Sequence, residues 1–268
     1  MWAVGMKQRS HLWGAIKQIS EKKLWISSSQ AASLLYLSKY QSKQKLWRIL
    51  HGKEKRVLLD WNQAIHHGNM WEYQGIEEAK RYLPDYFVWT RPGIIFDPYS
   101  HFCASPDAYG IDPVTMESIG IEVKCPYSRK LPETIEEVDL AHVIQSFVCL
   151  MITRAKEWNL FYFNPFDHKE NSLWKILPSE KLWNILKNEA AILIQQPFPP
   201  HRKNQKEFIE MEKMVISNVG LCKIQVQELD NENSEKSYPN GYVEDLEDAM
   251  NNAYIQNCEN INVEQDPC

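Results

Sequence analysis

A segment that alternates strictly between apolar and other side chains is the feature that most constrains the fold. Residues 118–124 read SIGIEVK, and this alternation is typical of a β-strand that packs one face on a core. On such a strand Glu122 and Lys124 point to one side, whereas Val123 between them points into the core. We therefore expect a sheet that presents this charged pair on one face of a strand.

The sequence on either side of this strand predicts an α/β (α+β) fold. Further strands are expected where short, β-branched or aromatic runs are bounded by Gly or Pro, at 88–99, 101–112 and 159–166. Apolar residues at spacings of three and four predict helices. The first 60 residues look helical, and further helices are predicted at about 66–83, 133–153, 180–195 and 204–217. This order of elements favours a central mixed sheet flanked by helices.

The charge is distributed unevenly along the chain. The total is −5, but the segment from Glu228 to Cys268 contains eleven acidic residues and one basic residue, a net charge of −10, which leaves +5 for residues 1–227. The acidic segment is also rich in Asn and lacks a long apolar run, a composition typical of disorder. We predict one folded domain over residues 1–227 and an acidic, disordered C-terminal tail over residues 228–268.

Several classes of protein are excluded by the composition. No run approaches the roughly 18 apolar residues of a membrane span, and the N-terminus lacks the apolar stretch of a signal peptide. The six cysteines include no CxxC pair, so a structural zinc site built on cysteines is not expected. We expect an intracellular protein, cytoplasmic or nuclear, that is not secreted and has no membrane partner.

The residues that can carry chemistry are SPD at 105–107 and GIEVKCP at 120–126. An Asp at a nearby strand end or turn can place a second carboxylate beside Glu122. Two carboxylates and a backbone carbonyl form a hard oxygen site that suits Mg²⁺. A neighbouring lysine can orient or deprotonate a water, or neutralise charge on a phosphate. The set favours metal-assisted phosphodiester hydrolysis.

The spacing alone does not decide between this interpretation and a structural one. The same acidic-x-Lys spacing occurs at Glu21, Glu78 and Asp167, although none of these lies in a β-branched strand. A surface charge pair across strands is an equally common use of Glu122 and Lys124. Both interpretations stay open on the pattern alone.

Four segments in register resemble the lambda-exonuclease and YqaJ-type viral recombinase family, a branch of the PD-(D/E)XK nucleases. They are ISSSQAASLL, HHGNMWEYQGIEEAKRYL, CASPDAYGID with GIEVKCPYS, and LAHVIQSFVCLMITRAKEWNLFYFNP, and they span about residues 22–166. The resemblance implies a restriction-endonuclease-like core, a central mixed β-sheet flanked by helices, in a nuclease domain over residues 1–227.

The resemblance also implies roles for individual residues. The metal ligands would be Asp107, Glu122, the Val123 carbonyl and Glu72, the last directly or through water. Lys124 would be the catalytic lysine, and Gln145 would hydrogen-bond the attacking water or the scissile phosphate. The implied cofactor is Mg²⁺, with Mn²⁺ able to substitute.

Contacts to DNA phosphates form the second set of implied residues. Ser29 and Ser105 match family positions that contact a 5′-phosphate, although the serines at 27–29 also suit a helix N-cap. Where the family pattern has Arg, this chain has Lys22 and Lys23, which supply the charge but not the bidentate fork. Independently of the resemblance, Arg129 and Lys130 follow the strand that carries Glu122, and this position suits contacts to the DNA backbone.

Several further candidates have ordinary structural alternatives. Asp97 matches an acidic position of some relatives, but Asp97-Pro98 is also a common turn. His66 and His67 point about 100° apart on a helix and cannot easily share an ion. His142 either lines the cleft or packs at the edge of the core. Trp71 could border the cleft, whereas the other tryptophans are expected in the core.

We expect a Mg²⁺-dependent DNA exonuclease that hydrolyses phosphodiester bonds from duplex DNA ends in recombination, repair or replication. Linear duplex DNA is the expected partner, and the resemblance also allows a single-strand annealing protein and a homo-oligomer. Two alternatives stay open. One is a structure-specific or restriction-like endonuclease with the same core, and the other is a catalytically inactive module that binds DNA or a partner.

Overall fold

The computed structural model describes residues 24–55, 62–127, 130–167, 170–201 and 204–224, and the backbone of residues 2–4. Its strands are β1 (Trp2–Val4), β2 (Ile26–Ser27), β3 (Val88–Thr90), β4 (Ile94–Asp97), β5 (Phe102–Ala104), β6 (Ala108–Ile111), β7 (Ser118–Lys124), β8 (Glu157–Tyr162), β9 (Ser172–Leu177) and β10 (Gly220–Ile224). Its helices are α1 (Ser28–Leu34), α2 (Lys43–Leu50), α3 (Gln63–Lys80), α4 (Leu140–Thr153), α5 (Glu180–Gln195) and α6 (Gln205–Asn218).

The main sheet has six strands in the order β10-β9-β8-β7-β6-β3. β7 and β8 are parallel, with Ile119 opposite Glu157, and the other neighbouring pairs are antiparallel. A parallel pair needs a crossover of a dozen or more residues, and α4 supplies it. The sheet is therefore mixed and flanked by helices, which confirms the fold class expected from the sequence.

A smaller sheet with the order β1-β4-β5-β2 is absent from the sequence-based prediction. The sequence predicts one strand run at 88–99 and another at 101–112. Both runs are divided, with one strand in the main sheet and one in the smaller sheet. β3 and β6 pair in the main sheet, whereas β4 and β5 pair in the smaller one. Pro92-Gly93 separates β3 from β4, and Pro106 separates β5 from β6. Prolines interrupt strand hydrogen bonding, so the chain changes sheet at these residues.

Helices cover both faces of the main sheet at β7 and β8. α4 contributes Phe147 and Leu150 to the larger core, together with Trp158 of β8. On the other face α3 contributes Ile76 to a second core, together with Val123 of β7. Val123 thus points into a core, as its place in the alternating strand predicts.

Two helices begin where side-chain caps place them rather than where periodicity predicts. α3 begins at Gln63 instead of about 66, because the Asn62 side chain accepts hydrogen bonds from the backbone of its first turn. α4 begins at Leu140 instead of about 133, because Asp139 caps it in the same way. α5 and α6 agree with the prediction within one residue.

The prediction of strands is wrong or incomplete in two regions. The sequence predicts helix throughout the first 60 residues, but this region also contains β1 and β2. β9 and β10 are not predicted at all. Short apolar runs such as SLWKIL do not distinguish a strand from a helix by period, and pairing with the neighbouring strands decides their structure.

Among the described helices, none combines the length and the apolarity needed to cross a lipid bilayer. The acidic tail over residues 228–268, with the predicted domain boundary before it, lies outside the described residues. That boundary stays a prediction.

Candidate active site

The end of β7 carries an ion pair in the protein interior. Glu122 is 2% exposed, and Lys124 Nζ lies 2.7 Å from its Oε1. Gln145 of α4 joins the pair: its Oε1 accepts a hydrogen bond from Lys124 Nζ at 3.0 Å, and its Nε2 donates to Glu122 Oε1. Strand alternation puts Glu122 and Lys124 on one face, and the crossover helix covers that face.

Asp107 brings a second carboxyl group to this strand. It immediately precedes β6, which pairs with β7 so that Ala108 lies opposite Ile121. Asp107 Oδ2 accepts a hydrogen bond from the Val123 backbone N–H at 2.8 Å, and its side chain is buried. The SPD turn and the GIEVK strand are therefore joined directly, as the sequence analysis expects.

Glu72 of α3 adds a third carboxyl group, and Arg91 ties it to the turn before β6. Arg91 Nη2 donates to Glu72 Oε1 at 3.3 Å, and Arg91 Nε donates to the Asp107 carbonyl oxygen at 3.3 Å. Sequence analysis missed Arg91. An arginine before a proline at the end of a short strand forms no pattern that could have identified it.

The carboxyl groups influence one another strongly. Burial raises the pKa of Asp107 well above its ordinary value, and the Glu122 and Glu72 carboxylates raise it further. Burial also raises the pKa of Glu122, against the opposing effect of Lys124. Burial alone would lower the pKa of Lys124, but the carboxylates of Glu122 and Asp107 outweigh it, so that pKa is raised and the amine stays charged.

The donor set fits a divalent cation that prefers oxygen ligands. Glu122 Oε2 is buried and has no hydrogen-bond partner among the described residues, which is unusual for a buried carboxylate oxygen. Asp107 and Glu72 add carboxylates, which are common ligands of Mg²⁺. Within the described residues, no three His, Cys, Asp or Glu side chains are already grouped around one metal position. Lys124 and Arg91 pair with Glu122 and Glu72, so a bound cation would share these carboxylates with the two basic side chains.

The site lies in a cavity of about 850 Å³, large enough for a nucleotide-sized ligand. The cavity is lined by all five residues expected to act in catalysis, which are Glu72, Asp107, Glu122, Lys124 and Gln145. Ser29 and Ser105, the expected phosphate contacts, line it as well. The fold therefore brings these sequence-predicted residues to one place.

Helix α1 brings its serines to the cavity wall. Ser27 is the N-cap residue, and its backbone N–H donates to Gln30 Oε1 at 3.1 Å. Ser28 is buried inside the helix. Ser29 Oγ lies 3.0 Å from Ser27 Oγ at the cavity wall. Of the three serines considered as caps, Ser27 takes the cap position, and all three line the cavity.

Two of the histidines considered have identifiable partners near the cavity. His142 lines it, and its Nδ1 lies 2.9 Å from the Tyr162 hydroxyl oxygen. His67 Nδ1 lies 3.2 Å from the Cys125 carbonyl oxygen, whereas His66 is exposed. The two adjacent histidines thus have different surroundings, and the expectation that they do not share an ion stays a prediction.

Two of the remaining candidates, Asp97 and Trp71, are not among the residues that line the cavity. Asp97 closes a turn, in which its Oδ1 accepts a hydrogen bond from the Tyr99 backbone N–H at 3.3 Å. Trp71 is half-buried beside Glu72 on α3. Lys22 and Arg129, expected at DNA phosphates, lie outside the described residues, so their roles stay predictions.

Comparisons with known proteins identify a family and a similar fold. A family model described as "YqaJ-like viral recombinase domain" matches residues 12–156, more than half of the chain. No curated protein matches the sequence significantly. Among solved structures, an alkaline exonuclease (LHK-Exo) from Laribacter hongkongensis has a TM-score of 0.52 at 17% identity, over 78% of this chain and 97% of that one. LHK-Exo in complex with dAMP has a TM-score of 0.51 at 16% identity, over 75% of this chain and 97% of that one. At such identity the likeness concerns the fold.

Proposed function

The chain belongs to the family of YqaJ-like viral recombinase domains, and from that premise we propose that it is a Mg²⁺-dependent DNA exonuclease acting on duplex ends. The observation that carries the proposal is the convergence of Glu72, Asp107, Glu122, Lys124 and Gln145 on one cavity. A binding module without chemistry does not need two buried carboxyl groups beside a half-buried glutamate and lysine, because burying charge is costly. The fold shared with an alkaline exonuclease, and the dAMP complex of that enzyme, support a DNA substrate.

The side chains divide the work of phosphodiester hydrolysis. Asp107, Glu122, Glu72 and the Val123 carbonyl would hold the divalent cation, which supplies Lewis acidity when bound. Lys124 is charged and donates hydrogen bonds, so it would stabilise the negative charge that develops on the phosphate. Gln145 holds Lys124 and Glu122 in place and would orient a water or phosphate oxygen.

Phosphate binding in the cavity would come from hydroxyl groups and from basic residues. Ser29 and Ser105 line the cavity and could donate hydrogen bonds to a DNA phosphate. Lys22 and Arg129, which lie outside the described residues, would supply positive charge to DNA phosphates. An annealing protein as partner and assembly into a homo-oligomer are further parts of the proposal, and they rest on the family resemblance alone.

The decisive test compares two lysines that form equally short ion pairs. Lys124 Nζ lies 2.7 Å from Glu122 inside the cavity, and Lys156 Nζ lies 2.7 Å from Glu117 on the surface. Release of nucleotides from end-labelled linear duplexes in Mg²⁺ should fall at least roughly 100-fold in Lys124→Ala. It should stay near the wild-type rate in Lys156→Ala. Release that continues in chelator, or equal rates in the two variants, would overturn the proposal.

Closed circular DNA distinguishes the proposed exonuclease from an endonuclease with the same core. Covalently closed circular duplex DNA has no ends, so the proposed exonuclease leaves it intact while it degrades the same DNA after linearisation. Cleavage of the closed circle at a comparable rate would favour the endonuclease. DNA binding without cleavage of either form, equally strong with and without Mg²⁺, would favour the inactive module.

A further inference from the structure

Four aromatic rings form a continuous surface at the rim of the cavity, here called the aromatic rim. They are His67 and Trp71 of α3, Tyr127 after β7 and Phe166 after β8. Ring centroids lie 5.4 Å apart for His67 and Tyr127, 5.8 Å for Trp71 and Phe166, and 6.4 Å for His67 and Phe166. These distances are those of aromatic pairs in contact. Three separate segments thus contribute to one surface.

Local contacts hold the rings of the rim in place. His67 and Trp71 are one helical turn apart, so their side chains lie on the same face of α3. His67 Nδ1 is within 3.2 Å of the Cys125 carbonyl oxygen, which links the helix to the segment that bears Tyr127. The Phe166 backbone N–H donates to Asn164 Oδ1 at 2.9 Å, which fixes the turn that bears Phe166. The rim is therefore built before any ligand arrives.

Two of these rings are largely open to water. Phe166 is 79% exposed and Tyr127 is 55% exposed. Large aromatic side chains contribute more to stability when buried, so a cluster with two exposed members gains little for the fold. Contiguous exposed apolar surface of this kind is typical of a binding site.

The rim continues directly from the cavity that contains the carboxyl groups. Tyr127 lines that cavity and lies five positions after Glu122 in the chain. Trp71 immediately precedes Glu72, which also lines the cavity. A DNA strand with its phosphate among the carboxyl groups would therefore pass beside Tyr127, where its unpaired bases could contact the exposed rings.

We propose that the aromatic rim stacks on the bases of a single-stranded DNA segment next to the scissile phosphate. This inference rests on the proposed nuclease function and names the form of DNA that the site receives. Aromatic rings stack on every base, because each base has a π-face, so such a surface suits an enzyme that degrades DNA of any sequence. The bases can reach the rings only where they are unpaired, so the rim favours a locally separated end over an intact duplex.

A binding experiment in chelator tests the rim without requiring cleavage. The probes are a fluorescent 12-mer of thymidine nucleotides and an abasic 12-mer with the same phosphates, measured by anisotropy at low salt. Phe166→Ala and Phe166→Ala/Tyr127→Ala are compared with Phe198→Ala, since Phe198 is 76% exposed and matches Phe166 in size and exposure. We expect thymidine-strand affinity to fall roughly 5- to 100-fold in the rim variants, with the wild-type value kept in Phe198→Ala. Affinity for the abasic strand should be the same in all four proteins.

The outcomes separate this inference from the nuclease proposal. If the rim variants bind the thymidine strand as the wild type does, the rim does not stack on bases, whether or not the protein cleaves DNA. If they lose affinity for both strands equally, the rings act on backbone binding and the stacking role is wrong. If the thymidine-specific loss is found but no cleavage occurs under any metal condition, the rim stands and the nuclease proposal fails.

Discussion

Arg91 connects two of the proposed metal ligands through its own hydrogen bonds. Its Nη2 contacts Glu72 Oε1 and its Nε contacts the Asp107 carbonyl oxygen, while its guanidinium lies 5.7 Å from the centre of the Tyr73 ring. The side chain is 45% exposed, so water screens its charge and the ion pair adds little stability. We expect its main effect to be the orientation of the Glu72 carboxylate, because hydrogen-bond partners orient a carboxylate that binds a metal.

We predict that Arg91→Ala raises the Mg²⁺ concentration for half-maximal nucleotide release by about 10- to 100-fold. The loss of orientation at Glu72 outweighs the removal of a screened positive charge near the cation. A Mg²⁺ titration of the release rate and equilibrium Mg²⁺ binding by calorimetry measure the shift. Arg81→Ala is the control, since Arg81 pairs with Glu78 on the same helix at 3.1 Å. Tighter Mg²⁺ binding in Arg91→Ala would contradict the orienting role.

The residues of the site differ in how far the sequence alone identifies them. Asp107, Glu122 and Lys124 follow from local spacing, because a strand and the turn before its neighbour fix their relation. Glu72 and Gln145 lie on separate helices, and only the family resemblance connects them to the strand. Arg91 has neither signal, since its contact with Glu72 depends on how α3 packs against the end of β3.

At the scale of elements, the close packing of α3 on β7 places Glu72 beside the strand. A Cβ on Gly75 would lie 2.6 Å from Val123 Cγ1 and 3.2 Å from Phe163 Cδ1, so the helix approaches the sheet as closely as a glycine allows. Val123 is β-branched and has few alternative rotamers, so it cannot move aside at low cost. Gly68 in the same helix has no such neighbour within 4 Å.

We predict opposite effects of the same substitution at these two glycines. Gly75→Ala should lower the free energy of unfolding by about 1–3 kcal/mol, because the added methyl group overpacks the contact with β7. Gly68→Ala should raise it by up to about 1 kcal/mol, because alanine favours the helical state. Urea unfolding followed by circular dichroism gives both values. A stabilised Gly75→Ala protein would show that α3 can shift away from β7 without loss.

The elements that the sequence predicts well are those with a strong period of their own. α5 has a clear amphipathic period and agrees with the predicted 180–195. α4 begins at Leu140 because Asp139 caps it. The acidic residues from about 133 onward also look helical in sequence, so the predicted start is too early. β9 and β10 are defined by their pairing, and the division of 88–112 between two sheets depends on Pro92 and Pro106. The prolines are visible in the sequence, but which strands pair with one another is not.

At the scale of the whole chain, the charge of −5 is the sum of a basic range, residues 1–227, and an acidic range, residues 228–268, which we predict to be a tail. The body carries +5 and the residues from 228 onward carry −10. A body with a modest positive charge holds phosphates through a local cleft, and a chain segment with ten net negative charges repels the same phosphates. If the chain binds DNA as proposed, we expect residues 228–268 to weaken that binding through their charge.

We predict that deletion of residues 228–268 raises affinity for duplex DNA severalfold at about 10 mM salt, where charges act over roughly 30 Å. The gain should shrink towards zero at about 1 M salt, where that distance falls to roughly 3 Å. A full-length variant with the eleven acidic tail residues changed to Asn or Gln keeps the length and removes the charge. Affinity should rise equally in this variant, because the effect is one of charge. If affinity rises in the deletion variant alone, the effect comes from the bulk of the tail and not from its charge. If affinity rises in neither protein, the tail does not affect DNA binding.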